Sequence, residues 1–576
     1  MLSSNYETLC AVPVSNASWS ENNKTSPGWA KKGHFLMLAL AMACAGVLSG
    51  RDLAAQAGPP LMPVTRPPMG WSSWNSFSNT VDAQIIMDQA RAMVSSGMQK
   101  AGYEYVNIDE GWWLGTRDSQ GNIVVNTKAW PAIAPGEHPG DMSNIVRFIH
   151  GLGLKAGIYT DAGESGCSMF PDLGPKYFHS GSEGHYEQDF LQFAKWGFDF
   201  VKVDWCGGNQ ENLDPAVQYA EIGRAILRAE AITGHHLFYS ICDWGKNSPW
   251  SWAPGIGGVP AAIWRTSGDI VAPVVAKHEH ADRKASFAGM LSNFDQGIHP
   301  EAQHTGYYND PDMMVLGMPG LTDAQNRVHM SLWAISGAPL LVGADLAKLS
   351  PAVLALLTQS SVIAVDQDPA ALQAVKIAEP ATGLQVWSKP LAEPGGRAVL
   401  LLNRTSSAQS IAVRWTDLHL QSSAPRITDA WSGEQLKGTD AAYEATVPAG
   451  DAKMLLVAGT EGPMRHYKPL SVQGSMAGAQ LGAVLREHPV RFENVEGRGE
   501  MMRIQIIYTN PDQVVRYAKL RVNGQIATII AFPPSGQNGS GMLWIQARLD
   551  RKGAENLLDF SADCDPGPVV DSISLQ

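Results

Sequence analysis

Six cysteines in 576 residues are too few for a chain held together by disulfides. Charged residues make up only 17%, and 43 Lys and Arg face 55 Asp and Glu. The formal charge of −12 argues against a nucleic-acid binder, which carries a basic stripe. Apolar runs are short. The longest, FLMLALAMACAGVL at 35–48, falls below the roughly 20 residues of a membrane helix. No G-x-G-x-x-G follows the first strand, so a dinucleotide fold is disfavoured. Histidines lack metal-ligand spacing. His235-His236 follow Gly234 at a helix end, and His278/His280 have no third partner. No metal and no other cofactor is expected.

What is present bounds the answer further. Hydrophobic residues reach 44%, enough for a large core, and global disorder is excluded. With 57 Gly and 36 Pro the chain turns often but carries no collagen-like repeat. At roughly 150 residues per domain the length suggests three or four domains. Lys31-Lys32, the run at 35–48 and Ala55-Gln56-Ala57 form the three regions of a secretory signal. Residues 1–57 are therefore read as an N-terminal extension plus signal peptide, with an N-terminal membrane anchor as the competing reading. The mature chain is expected to be secreted or periplasmic, with no membrane association after cleavage. Cys167, Cys206, Cys242 and Cys564 would remain, where disulfides are permitted.

Residues 66–360 read as repeating strand-then-helix units. The runs YEYVNID (103–109), LKAGIYTDA (154–162), FDFVKVDWC (198–206), HLFYSICDW (236–244), AAIWRTSGDI (261–270) and PLLVGADL (339–346) are apolar almost throughout. Adding PMGWSSWNS (68–76) and HTGYYNDPD (304–312) makes eight strands. Helix-period segments such as Ala83–Lys100, Tyr186–Trp196, Asp214–Ile232 and Asp323–Ile335 lie between them. Such alternation predicts a parallel sheet covered on both faces, best met by a (β/α)8 TIM barrel. Residues 366–458 turn to short strands and predict an antiparallel β-sandwich. A linker at 459–475 precedes a second C-terminal β-sandwich over 476–576, where Asn523-Gly524 marks a hairpin.

In such a barrel the chemistry gathers at the C-terminal ends of the strands. Carboxylates stand at five of these ends with Trp or Tyr nearby. Acidic groups beside flat aromatic faces suit a sugar, which offers hydroxyls for hydrogen bonds and C–H faces for stacking.

The strings MGWSSWNSF, YVNIDEGWW, LKAGIYTDAG, FVKVDWCGG, YSICDWG, WRTSGDI, NDPDMMVLGMPGLT and SLWAISGAPLLVGADL resemble glycoside hydrolase family 27, typified by α-galactosidases. The resemblance spans about 66–460. It implies a retaining exo-glycosidase that removes terminal non-reducing α-D-galactosyl residues from oligo- or polysaccharides, with galactose- or arabinopyranose-containing saccharides as the expected partners. It assigns Asp204 as nucleophile and Asp269 as acid/base. Retention needs one ionised carboxylate to attack and one protonated carboxyl to serve the leaving group, about 5–5.5 Å apart. The resemblance also implies sugar contacts from Trp74, Asp109, Tyr159, Lys202, Arg265 and Asp312, a pocket wall at Met313, and a disulfide between Cys167 and Cys206. Lys202 is two residues before Asp204, hence on the same strand face, and would favour its ionised form.

Two departures from the family pattern bear on specificity. Glu110 stands where an Asp is usual and would crowd the exocyclic group of galactose. A β-L-arabinopyranosidase is therefore the alternative, and a non-catalytic sugar-binding protein is the competitor from another class. Asp243 stands where Glu is common, at the position facing the 2-substituent; its charge disfavours an acetamido group. The segment 476–576 looks like a carbohydrate-binding module of the family 6/35 type, carried by NVEG (494–497), AKLRVNGQ (518–525), FPPSG (532–536) and VDSISL (570–575). A purely structural β domain is the other reading.

Overall fold

The computed structural model describes residues 65–167, 180–255, 261–270, 284–421, 424–470, 483–484, 488–536, 539–562 and 567–576. The expected signal segment, His278/His280 and Cys564 lie outside these residues. Among the described residues no helix is long and apolar enough to cross a membrane.

The first ten strands are β1 (Met69–Ser72), β2 (Tyr105–Asn107), β3 (Trp113–Arg117), β4 (Ile123–Val125), β5 (Lys155–Asp161), β6 (Phe200–Asp204), β7 (Phe238–Cys242), β8 (Ile263–Arg265), β9 (Tyr308–Asp310) and β10 (Leu340–Val342). All but β3 and β4 form one parallel sheet in the order β10-β1-β2-β5-β6-β7-β8-β9. A bridge between Met314 and Val342 joins the chain beyond β9 to β10, so the cylinder closes. The eight-stranded barrel expected from the apolar runs is therefore what the chain forms. The hairpin β3–β4 was not foreseen. Its strands are short, and its pairing shifts register between Trp113 and Arg117.

Strand register sorts the barrel interior into layers. Parallel pairing sets Gly157 beside Phe200 and Phe200 beside Phe238, then Lys202 beside Ser240, then Asp204 beside Cys242. Side chains alternate across a strand, so these residues share one face. Tyr105, Phe200, Phe238, Ile263 and Tyr308 form a separate apolar cluster at the strand starts. The Phe200 and Phe238 rings stack 4.9 Å apart. This aromatic floor blocks one end, and the polar residues two and four positions later face the other. Gly157 permits the tight fit, because a Cβ there would lie 2.0 Å from Asn107 Oδ1.

The helices follow their sequence signals. Pro215–Thr233 starts on an Asp214 cap with Pro at its first turn and ends at Gly234. Asp323–Ser336 begins with a reciprocal capping box between Thr322 and Gln325. The expected helix over Ala83–Lys100 is instead Ala83–Ser95 and Met98–Ala101, broken at Gly97, whose φ is 85°.

The next strands are β11 (Val375–Ala381), β12 (Leu384–Pro390), β13 (Gly396–Asn403), β14 (Gln409–Arg414), β15 (Arg426–Asp429), β16 (Gln435–Leu436), β17 (Ala442–Val447) and β18 (Ala452–Ala458). A six-stranded sheet, β11-β12-β13-β18-β15-β16, packs with the β14–β17 pair over a core that includes Trp415, Leu401 and Leu455. The last six are β19 (Arg465–Tyr467), β20 (Val490–Thr509), β21 (Arg516–Val522), β22 (Gln525–Phe532), β23 (Gly541–Ser561) and β24 (Val569–Leu575). They pair in the order β19-β24-β20-β23-β21-β22. The long strands β20 and β23 carry bulges, and residues from both ends of each share one core. This β unit rests on the barrel, where the Ala531 amide donates to His304 Nε2 at 3.2 Å.

Gly157→Ala should destabilise the barrel by about 1–3 kcal/mol, because a well-packed interior cannot absorb the methyl group. Urea unfolding checks this, and Gly157→Ala combined with Asn107→Ala should recover part of the loss.

Candidate active site

The polar mouth of the barrel is built from strand ends. Lys202 Nζ donates to Asp109 Oδ2 at 2.9 Å and lies 3.8 Å from Asp204 Oδ2. One ammonium thus serves carboxylates from β2 and β6. Its other side faces the Tyr159 ring on β5, 5.2 Å away. Burial works against the Lys202 ammonium, but the Asp109 and Asp204 carboxylates outweigh it and hold its pKa well above the usual lysine range. Burial raises the Asp204 carboxyl, and Lys202 opposes the rise.

A second cluster lies opposite. Arg265 at the end of β8 sends Nη1 to Asp312 Oδ1 at 3.0 Å and Nη2 to Asp269 Oδ1 at 3.1 Å. Nη2 also donates to Ser267 O at 2.9 Å. Asp312 is held from behind, since its Oδ2 accepts from the Ile270 amide at 2.8 Å. Its φ of 98° turns the chain sharply after β9 and aims the side chain back at Arg265. The Asp269 side chain keeps 29% of its surface exposed and Asp204 keeps 7%. One carboxylate therefore meets solvent and the other is sheltered. Met313 is buried and lines a cavity of about 20 Å³ beneath the mouth, together with Asp109, Lys202, Arg265 and Asp312.

Asp109, Tyr159, Lys202, Asp204, Arg265, Asp269, Asp312 and Met313 are thus brought together. Trp74 opens the one-turn helix Trp74–Phe77 after β1 and is half-buried. Glu110 and Asp243 are buried in the loops that follow β2 and β7. Glu110 is buried with Oε1 against Gly166, where an added Cβ would lie 2.4 Å from it. Asp243 is fully buried, and its Oδ1 accepts from the Gly245 amide at 3.1 Å, fastening its own turn. Burial lifts its carboxyl to about 6.

Asp161 has a part that the sequence reading did not assign. Its carboxylate accepts from the amides of Gly163 at 2.8 Å, Cys206 at 2.7 Å and Gly207 at 3.0 Å. It ties the loop after β5 to the loop after β6. Those loops touch backbone to backbone: a Cβ on Gly163 would lie 2.3 Å from the Gly207 carbonyl carbon. The Cys167–Cys206 disulfide joins the same loops, with Cα atoms 4.9 Å apart. The glycines in DAG (161–163) and CGG (206–208) were the available signal. Among the described residues, the group with metal-ligand chemistry is Asp161, Cys167 and Cys206, and its two thiols are bonded to each other. His235 and His236 instead bind structural partners: His235 Nε2 lies 2.7 Å from Phe198 O, and His236 Nδ1 2.7 Å from Glu230.

Comparison with known proteins bears on all three units. The family described as alpha galactosidase A matches residues 66–368, and the alpha galactosidase C-terminal beta sandwich domain matches 381–457. A domain described as the CBM13 domain of alpha-galactosidase matches 493–574. This replaces the family 6/35 likeness, which rested on strand and turn signals that many β modules share. The chain is 40% identical over 352 residues to an alpha-galactosidase A from Cellvibrio japonicus, covering 61% of this chain and 79% of that protein. It is 37% identical over 394 residues to an alpha-galactosidase from Coffea arabica, covering 68% and 93%. The crystal structure of alpha-galactosidase I from Mortierella vinacea superposes with a TM-score of 0.59 at 30% identity, over 69% of this chain and 99% of that one. A family 27 β-L-arabinopyranosidase from Geobacillus stearothermophilus shares the fold at 20% identity, with a TM-score of 0.58 over 69% and 98%. With the barrel, its strand-end carboxylates and these matches together, the chain belongs to glycoside hydrolase family 27, the family of the α-galactosidases.

Proposed function

We propose that the protein is a retaining α-galactosidase that removes terminal, non-reducing α-D-galactosyl residues by double displacement. The observation that carries this reading is the joined pair of clusters at the mouth. Asp204 lies beside Lys202, and Asp269 beside Arg265. Lys202 favours the ionised Asp204 that attack requires. The Asp204 oxygen forms a bond to the anomeric carbon as the glycosidic bond breaks. Asp269 gives its proton to the departing oxygen, then takes one from the water that releases the sugar. The partial exposure of Asp269 suits exchange with water. Asp109, Asp312 and Arg265 offer charged hydrogen-bonding groups to ring hydroxyls, Tyr159 and Trp74 offer apolar surface, and Met313 walls the base.

Export to an oxidising compartment belongs to the same reading, and the Cys167–Cys206 disulfide supports it.

A β-L-arabinopyranosidase is the second reading. It rests on Glu110, which is buried immediately beside Asp109 and raises the Tyr159 pKa along with Asp204. In this reading its carboxylate narrows the side of the mouth next to Asp109. Side-by-side rates on nitrophenyl α-D-galactoside and β-L-arabinopyranoside decide: a dominant galactoside rate is expected, and a dominant arabinoside rate overturns the first reading. Glu110→Asp should move the ratio toward galactoside by about 10- to 200-fold at most, the range one methylene can discriminate.

Asp204→Asn should leave no measurable turnover while the fold is retained. Asp204→Gly should regain rate with azide and yield the β-galactosyl azide. Substantial turnover by Asp204→Asn contradicts the assignment. The rate should fall in acid as Asp204 is protonated. Because burial raises that pKa and Lys202 lowers it, Lys202→Met should move the acid limb of kcat/KM to higher pH. An unmoved limb removes Lys202 from the electrostatic account.

A further inference from the structure

Cys242 ends β7 as a free, buried thiol, and no step of the mechanism above uses it. Its neighbours give it a place. Parallel pairing sets it beside Asp204. Partners in register on adjacent parallel strands point their side chains to the same face, so the Cys242 thiol and the Asp204 carboxylate lie side by side. On its other side Arg265 Nη1 lies 3.9 Å from Sγ, within reach of a sulfur acceptor. The thiol thus stands between Asp204 of the Lys202–Asp109–Asp204 cluster and Arg265 of the Arg265–Asp269–Asp312 cluster.

We propose that Cys242 is a positioning residue: its S–H donates to Asp204 and its sulfur accepts from Arg265, fixing the attacking carboxylate in register with the opposite half of the site. The proposal rests on the reading of Asp204 as nucleophile and deepens it. A carboxylate at a strand end can rotate about its terminal torsion, which is broad and roughly two-fold. Asp204 Oδ1 already accepts from the Trp205 amide at 3.0 Å, and Oδ2 faces Lys202. A donor from the neighbouring strand removes the remaining freedom. Burial and the adjacent Asp204 hold the thiol well above its ordinary pKa, so the proton stays on sulfur. A thiolate there would repel Asp204 instead. A thiol is a weak donor, so the contribution is modest.

The charged and titratable groups bearing on Asp204 come from every neighbouring strand. They are Lys202 and Asp109, Asp269 with Arg265 behind it, Tyr159 and Asp161 on β5, and Tyr219 on the covering helix. Replacing Cys242 leaves all of these in place and removes one favourable donor.

The test uses the full chain and three variants. Cys242→Ala and Cys242→Val remove the donor, the second while filling the volume. Cys242→Ser keeps a donor. With the aryl α-galactoside, Ala and Val should lower kcat about three- to tenfold with KM little changed. They should also raise the acid limb of kcat/KM by about half to one pH unit. Cys242→Ser should keep the wild-type limb and most of kcat. Equal losses in Ser, Ala and Val, or an unmoved limb in Ala and Val, overturn the positioning role. If that happens while azide still rescues Asp204→Gly, the nucleophile stands and Cys242 alone falls. If azide fails to rescue, the reading of Asp204 falls and the proposal with it.

Discussion

The crowding of more carboxylates than cations into one mouth, among the described residues, is the constraint from which the site follows. Asp109, Asp204, Asp269 and Asp312 converge on Lys202 and Arg265. Buried charges must be paired and hydrogen-bonded or their desolvation is prohibitive. Each cation therefore bridges two strand ends, and each carboxylate takes support from a backbone amide or a neighbouring side chain. In the proposed reaction the excess of negative charge has a chemical use. An oxocarbenium-like transition state is positive, and fixed anions around it stabilise it more than a neutral ground state.

That arrangement exists because the barrel separates its ends. Register and alternation send aromatic side chains to the floor and ionic ones to the mouth from the same strands. Phe200, Lys202 and Asp204 on β6 show the whole gradient within five residues. Gly157 lets β5 approach Asn107 closely enough to keep the layers aligned. Above the mouth, Asp161 and the Cys167–Cys206 disulfide bind two loops together, so the Asp204 strand end is held from both directions.

Much of this was legible in the sequence, and the reasons differ by element. Strands such as FDFVKVDWC stand out because the face under the helices is apolar and the inward face is apolar at its start, with polar residues only toward the mouth. Helices with strong caps, such as Asp323–Ser336, were placed to within a residue or two. The break at Gly97 was missed because the helical period continues across it. The β3–β4 hairpin was missed because its strands are only five and three residues long. At the site, the pairing of Lys202 with Asp204 follows from spacing alone. Glu110 and Asp243 were harder. Both lie just beyond a strand, where the loop and not the strand period sets side-chain direction. Glu110 turned against Gly166, and Asp243 fastened its own turn. Asp161 and Cys242 were illegible for another reason: what they do depends on which residue of the next strand lies beside them.

The most direct test of the central claim is to trap the covalent intermediate with a slow fluorinated galactosyl donor and map the modified peptide by mass spectrometry, while following the first-formed anomer by NMR. The account requires the sugar on Asp204 and α-galactose as the first product. Labelling of another residue, or β-galactose appearing first, would contradict it.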